Sequence, residues 1–309
     1  MPFSLLGFLR GSVAFLLMVA STVFWCIPLY TVALAKALVP HKGFRRRCTR
    51  VLFAIAEIWS VFLCRIIDLT QRIEWDVAGL DNLCRDRSYL LSANHQSWVD
   101  IVVLQYLFTR RIPFPRYFAK QELLWLPLIG AALWALEFPL MKRYSKAFLK
   151  KHPELRGQDL ETTRQACERY RGTPVTIVNF VEGTRFTHRK HAVQHSPYRY
   201  LLRPRAGGVG FVLDAMGENF EALLDLTLVY PEGVGGMGEF LCGRIPRVIV
   251  RVRQRPIPTA LLHGNYLDND AHREQIQSWI TALWEEKDAL IANLLREAGS
   301  AGVNRSAVP

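Results

Sequence analysis

Ser88-Tyr89-Leu90-Leu91-Ser92-Ala93-Asn94-His95-Gln96-Ser97-Trp98-Val99-Asp100 opens as a strand and closes as a helix, and the fold turns on that handover. Ser88 to Ala93 is a short apolar run of strand length. From Ser97 onward the apolar positions Val99, Val102, Val103, Tyr106 and Leu107 recur at helical spacing. Asn94 to Ser97 therefore occupy a strand-to-helix corner. Upstream, Ile73 to Val77 reads as a strand followed by a turn at Gly79 to Asn82. Downstream, Gln158 to Arg171 reads as a polar helix and the β-branched Val175 to Val181 as a buried strand, with further strands at Leu223 to Val229 and Pro246 to Val252. His272 to Glu297 reads as a closing helix with Ile276, Ile280, Leu283, Leu290 and Leu294 on one side. Strands alternating with helices predict an α/β fold, a mixed sheet flanked by helices, with the reactive groups at strand ends.

The N-terminus adds a different element. The 25 positions from Gly11 to Ala35 carry no charge and as a helix would span roughly 37 Å, enough to cross a bilayer. This run reads as a transmembrane helix. A cleaved signal peptide is the rival reading, disfavoured by the length of the run and by Arg10 as its only flanking charge on the N-terminal side. Lys36, Lys42, Arg45, Arg46, Arg47 and Arg50 follow and by the positive-inside tendency hold that side in the cytoplasm. Val51 to Cys64 is too short for a comfortable second span and contains Glu57, so an interfacial or re-entrant helix fits better than a second crossing. Leu123 to Leu136 reads either as a buried core helix or as a patch that dips into lipid. The expected division is a transmembrane or interfacial helical region at 1–67, an α/β domain at 68–299 and a frayed tail at 300–309.

Charge and cysteine usage narrow the partners. With 39 basic and 27 acidic residues the net charge is +12, which suits a phospholipid surface, a phosphorylated substrate or nucleic acid. Nucleic-acid binding calls for aromatics interleaved with a basic groove, whereas the aromatics here cluster in apolar segments. The six cysteines form no C-x-x-C pair, so neither a thiolate metal site nor a disulfide framework is expected. His188, His191 and His195 have a spacing that could gather three imidazoles. Arg189 and Lys190 lie between them with no carboxylate close, so a solvated basic loop is expected and no metal.

Two constellations carry chemistry. His95 and Asp100 lie five positions apart and would diverge by about 140° on one continuous helix. With His95 on the corner and Asp100 in the first helical turn, the carboxylate can reach a ring nitrogen. Asp100 then fixes the tautomer while the other nitrogen accepts a proton from an attacking alcohol. The spacing alone is a weak signal, because His263 and Asp268 share it within a polar loop. The second constellation is Phe180-Val181-Glu182-Gly183-Thr184-Arg185 at the end of a strand. Glycine lets backbone approach a ligand, and arginine offers a planar fork for phosphate oxygens. Standing alone, that stretch would read as a strand-end turn with a surface Arg–Glu pair. Tyr230-Pro231-Glu232-Gly233 echoes it without the arginine and reads as a turn.

Taken in order, these residues resemble the lysophosphatidic acid acyltransferase family, in its bacterial membrane-bound branch, whose signatures are N-H-x-x-x-x-D and a downstream F-P-E-G-T-R. His95 and Asp100 match the catalytic pair of that H-x-x-x-x-D motif. Glu182, Gly183, Thr184 and Arg185 match the acceptor-binding motif, with Val181 where the family has proline. Phe138-Pro139-Leu140-Met141-Lys142-Arg143 resembles the family block that ends in a phosphate-binding arginine, which makes Arg143 its equivalent, although the preceding residues depart from the pattern. Leu226 to Pro231 resembles the fourth block.

The resemblance implies the glycerolipid acyltransferase fold and direct transfer of a fatty acyl group to the free hydroxyl of lysophosphatidic acid, in phospholipid synthesis. The donor is acyl-CoA or acyl-acyl-carrier-protein, and no bound cofactor is required. The implied partners are membrane phospholipids, a lysophospholipid acceptor and the acyl donor, at the cytoplasmic (inner) membrane with the catalytic domain facing the cytoplasm. A different lysophospholipid acceptor, or an inactive lipid-binding protein on the same fold, are the alternatives.

Overall fold

The fold is a computed structural model that describes residues 4–125, 129–138, 140–141, 170, 172–262, 264–266 and 268–305. In chain order it runs α1 (Leu5–Leu38), α2 (Lys42–Thr70), β1 (Glu74–Ala78), β2 (Ser88–Ala93), α3 (Val99–Phe108), β3 (Pro115–Tyr117), α4 (Ile129–Ala135), β4 (Thr176–Phe180), α5 (His188–Gln194), α6 (Gly207–Met216), β5 (Phe220–Val229), α7 (Met237–Leu241), β6 (Arg247–Arg255) and α8 (Asp270–Arg305). Ala119–Lys120 and Leu140–Met141 form a separate two-stranded ladder. Arg143, His263 and, apart from Tyr170, the expected helix at Gln158 to Arg171 lie outside the described residues.

The six main strands form one mixed sheet in the order β1-β6-β5-β2-β4-β3. Among the described residues its only antiparallel pairing joins β5 to β6, and β5, β2 and β4 run side by side in parallel at its centre. Such central strands are covered on both faces and read as continuous apolar runs, as Tyr-Leu-Leu of β2 and Ala-Leu-Leu of β5 do. The period of two divides them between two cores. Leu90, Ile177, Leu223 and Ile249 pack under α6 and α8, with Val209, Val212, Ile276, Ile280 and Trp284. Tyr89, Leu91, Val178, Leu224, Leu226 and Val250 pack under α3 and α7, with Val99, Val103, Leu107 and Phe240. The molecule is thus helix–sheet–helix in layers, as the alternation of elements predicts.

On the α8 side, alternation also turns Asp225 and Thr227 of β5 inward, where an apolar residue would be expected. Lys287 of α8 meets them: its Nζ lies 2.6 Å from Asp225 Oδ1 and donates to Leu226 O, with both side chains almost entirely buried. The pair is a buried charged contact in a largely apolar layer.

The N-terminal helices form an antiparallel hairpin. Leu29 and Ala33 of α1 pack on Leu52, Ile55 and Ala56 of α2, and Trp59 Nε1 donates to Thr22 Oγ1 at 3.2 Å. The apolar Val51 to Cys64 is the middle of a 29-residue helix, longer than its apolar run because the flanking arginines continue the same helix. Both ends of α1 touch the domain. A Cβ on Gly11 would stand 2.7 Å from Cys242 Sγ, and Ala14 is fully buried against the sheet's helical cover. At the other end Lys36 Nζ pairs with Glu137 Oε1 at 2.5 Å. The opposite face of α1 exposes Leu5, Phe8, Val13, Phe15, Leu16, Phe24 and Ile27. The Leu123 to Leu136 segment divides into a 3₁₀ turn at Gln121–Trp125 and the short α4, with Ala135 and Leu136 buried and Trp125 and Trp134 exposed.

Candidate active site

The site forms at the carboxyl ends of β5, β2 and β4, three adjacent parallel strands. That edge is where open α/β sheets expose loops to ligands. β2 ends at Ala93, and the side chain of the buried Asn94 continues its ladder: Nδ2 donates to Leu228 O at 2.9 Å while Oδ1 accepts from Leu228 N at 2.8 Å. The chain then turns through His95 to Ser97 and enters α3. Gln96 Nε2 also reaches Leu228 O, and Ser97 Oγ donates to Gly235 O at 2.7 Å. The corner is therefore fastened to the end of β5 through Asn94 and Gln96, and to the loop after it through Ser97.

Asp100 stands in the first turn of α3, fully buried, and folds back over the corner. Its Oδ2 accepts from His95 Nδ1 at 2.8 Å, Gln96 N at 2.6 Å and Ser97 N at 2.9 Å. Its Oδ1 accepts from the Tyr230 hydroxyl at 2.7 Å. A carboxylate that accepts from four donors is held in one orientation, and its charge is compensated where water is excluded. With Nδ1 donating to the carboxylate, Nε2 of the neutral ring is the acceptor. Nε2 has no hydrogen-bond partner among the described residues, and the side chain is 13% exposed. Phe180 stacks on the imidazole with ring centroids 4.0 Å apart, which fixes the ring plane.

Glu182 lies directly after β4 and is buried against the same corner. Oε1 accepts from His95 N at 3.0 Å and Oε2 from Leu202 N at 3.2 Å. Burial pushes its carboxyl up to about 8. The nearby Asp100 charge adds to that rise, while the two backbone donors and Lys287 oppose it. Tyr230 is pushed well above the ordinary tyrosine value by burial and by the Asp100 carboxylate, so it remains a hydrogen-bond donor. Gly183 takes φ +67°, a left-handed turn that glycine adopts without strain. Lys190 Nζ bonds Thr184 Oγ1 at 2.7 Å and Arg185 O at 2.9 Å. The exposed Arg185 guanidinium lies 5.0 Å over the ring of Trp98, three residues beyond His95.

Of the residues singled out from the sequence, His95, Asp100 and Glu182 are joined in one network. Gly183 and Thr184 form the turn beside it, and Arg185 stands over its rim. The histidines of α5 are engaged separately: His191 Nε2 bonds Tyr198 O at 2.6 Å, and His188 meets the ring of Phe186 edge-on. The sequence reading missed Tyr230, placed in a mere turn. It also missed Asn94 as a strand clamp, Phe180 as the ring support, and the Lys287–Asp225 pair beneath them.

A family model described as Acyltransferase matches residues 74–234, from β1 to just past Tyr230. The 1-acyl-sn-glycerol-3-phosphate acyltransferase epsilon of Mus musculus is 26% identical over 224 residues, covering 64% of this chain and 56% of that protein. The gamma protein of Homo sapiens is 24% identical over 281 residues, covering 80% and 68%. Lysocardiolipin acyltransferase 1 of Gallus gallus is 29% identical over 127 residues, covering 37% and 31%. This chain thus spans about half the length of the curated relatives it matches. The crystal structure of the 1-acyl-sn-glycerophosphate (LPA) acyltransferase PlsC from Thermotoga maritima aligns with 89% of this chain and 97% of that one, at TM-score 0.49 and 16% identity. The matched family region takes in more than half of the chain and encloses the whole network built around His95 and Asp100. This protein belongs to the acyltransferase family.

Proposed function

We propose that the protein transfers a fatty acyl group from a thioester donor, acyl-CoA or acyl-acyl-carrier-protein, to the free hydroxyl of lysophosphatidic acid. The observation that carries this reading is the 2.8 Å contact between His95 Nδ1 and Asp100 Oδ2, which leaves Nε2 as the acceptor. His95 Nε2 removes the acceptor's hydroxyl proton as that oxygen attacks the thioester carbonyl. The C–S bond of the tetrahedral intermediate then breaks, the thiol leaves as thiolate, and the imidazolium returns the proton to sulfur. Asp100 stabilises the imidazolium in between, and such a base contributes about 10² to 10⁴ in rate. A thiolate is a good leaving group, so one base suffices.

Arg185, with Thr184 and Gly183, is assigned to the acceptor phosphate. Arg143 takes the same assignment from the family resemblance. Glu182 supports the corner through the His95 amide. The relatives named for 1-acylglycerol-3-phosphate acyl transfer favour lysophosphatidic acid as acceptor. The likeness to lysocardiolipin acyltransferase favours a second reading with a larger headgroup.

The exposed apolar face of α1 is assigned to the membrane. The helix is long and apolar enough to cross a bilayer, as expected from the sequence, but Gly11 and Lys36 both contact the domain, about 37 Å apart along it, which favours immersion of one face beside the domain over a free crossing. The arginines opening α2 are placed at anionic headgroups on the cytoplasmic side. A panel of lysophospholipid acceptors with one labelled acyl donor tests the assignment. Transfer to lysophosphatidic acid is expected, and transfer to none of them would remove the proposal.

A further inference from the structure

Between Glu182 and Asp214 the chain has no acidic residue, while Arg185, Arg189, Lys190, Arg199, Arg203 and Arg205 all fall within that stretch. Elsewhere on the domain several arginines are neutralised in place: Arg87 by Glu221, Arg247 and Arg251 by Asp76, Arg253 and Arg255 by Glu286. Among the described residues, none of the six cations has an ion-pair partner. Asp288 of α8 reaches the stretch, but its oxygens accept from the backbone amides of Arg199 and Tyr200, at 2.9 and 2.8 Å. Concentrated like charge repels itself and attracts a polyanion.

The cations are mounted on an ordered surface. Arg189 and Val193 are one turn apart and share a face of α5, where Val193 is 74% exposed. The rest of α5 is tied down through His191 on Tyr198 O, Lys190 on Thr184 and Arg185 O, and Arg203 on the carbonyls of Gln194 and His195. Through Lys190, α5 is fastened to the loop that carries Arg185 over Trp98, so the basic surface is continuous with the rim of the site.

We propose that this face, from Arg189 across α5 to Arg203 and Arg205, docks an acidic protein carrier that presents the acyl thioester to His95. The inference rests on the acyl-transfer reading above and names its donor. A membrane surface would call for large apolar and aromatic side chains. Those lie on α1 and α2 and at Trp98, Trp125 and Trp134, whereas Val193 is the one exposed large hydrophobic residue of the basic stretch among the described residues. The charge is spread along a helix about 10 Å long and the loop beyond it, matching an acidic helical face with one apolar contact better than a compact phosphate group.

The test uses the full chain in detergent and an acylated acyl carrier protein. Wild type should bind the carrier, more weakly as salt rises from about 50 to about 300 mM. Arg189→Glu/Val193→Glu should weaken that binding by about tenfold or more. The same variant should keep its turnover of acyl-CoA and its sedimentation with anionic vesicles. Absence of carrier binding by wild type, unchanged binding by the variant, or an equal loss in acyl-CoA turnover or vesicle binding would each overturn the proposal. Carrier binding that behaves as expected, in a protein that transfers from neither thioester, would support the docking face and overturn the acyl-transfer reading alone.

Discussion

The hydroxyl of Tyr230 donates to Oδ1 of Asp100 at 2.7 Å, across the gap between the end of β5 and the first turn of α3. The bond makes the orientation of Asp100, and through it that of His95, depend on a strand that contributes no reacting group. A hydrogen bond to a charged partner is worth about 1.5–3 kcal/mol. Tyr230→Phe should therefore lower kcat by about 10- to 100-fold with little change in KM for either substrate. Steady-state kinetics on a variant with wild-type circular dichroism checks this, and an unchanged kcat would remove Tyr230 from the network.

Arg185 should act on binding more than on chemistry. Losing one charge-assisted contact to phosphate, about 1.5–3 kcal/mol, predicts that Arg185→Ala raises KM for the acceptor by about 10- to 100-fold and leaves kcat within a few-fold. A fall in kcat at constant KM would contradict the assignment.

Glu182 predicts a pH dependence of stability. Its folded-state carboxyl is raised from an ordinary 4.5 to about 8, chiefly by burial, so between those values the folded protein binds more protons than the unfolded chain. Stability from this group is greatest at low pH and falls as pH rises through that window. Glu182→Gln should flatten this part of the profile, whatever constant cost arises where its amide meets Leu202 N. Thermal unfolding of both proteins in detergent between about pH 5 and 8 is the measurement. Parallel profiles would show that Glu182 does not titrate there.

Lys287 and Asp225 form a buried ion pair between α8 and β5. Removing one partner strands the other charge, a cost of about 3–5 kcal/mol. Lys287→Met should thus be strongly destabilising, and Lys287→Met/Asp225→Asn should recover a large part of the loss. Denaturation midpoints for the single and double variants decide it, and a double variant no more stable than the single would show that stranded charge is not the cause.

The layered fold could be read from the sequence because its strongest signals are local. Strand-length apolar runs at Ser88 to Ala93, Val175 to Val181 and Leu223 to Val229 each became a central strand, and the helical spacing after Ser97 became α3. The His95–Asp100 contact was legible for the same reason, since a corner five residues long can close on itself. What the sequence left hidden is non-local. Nothing near Tyr230 in the chain marks it as the partner of Asp100, 130 residues earlier. Lys287 reads as one more charge on a polar helix until β5 turns Asp225 toward it. Val51 to Cys64 looked short because hydropathy stops at the arginines, whereas backbone hydrogen bonding continues the helix from Lys42 to Thr70.

The central claim is that His95 is the base. The direct measurement is transfer of a labelled acyl chain from acyl-CoA, or from the acylated carrier protein, to lysophosphatidic acid in detergent micelles, by wild type and by His95→Ala at matched circular dichroism. The geometry predicts transfer by wild type and a loss of at least about 10²-fold in the variant. A folded His95→Ala protein that transfers at the wild-type rate would contradict the account.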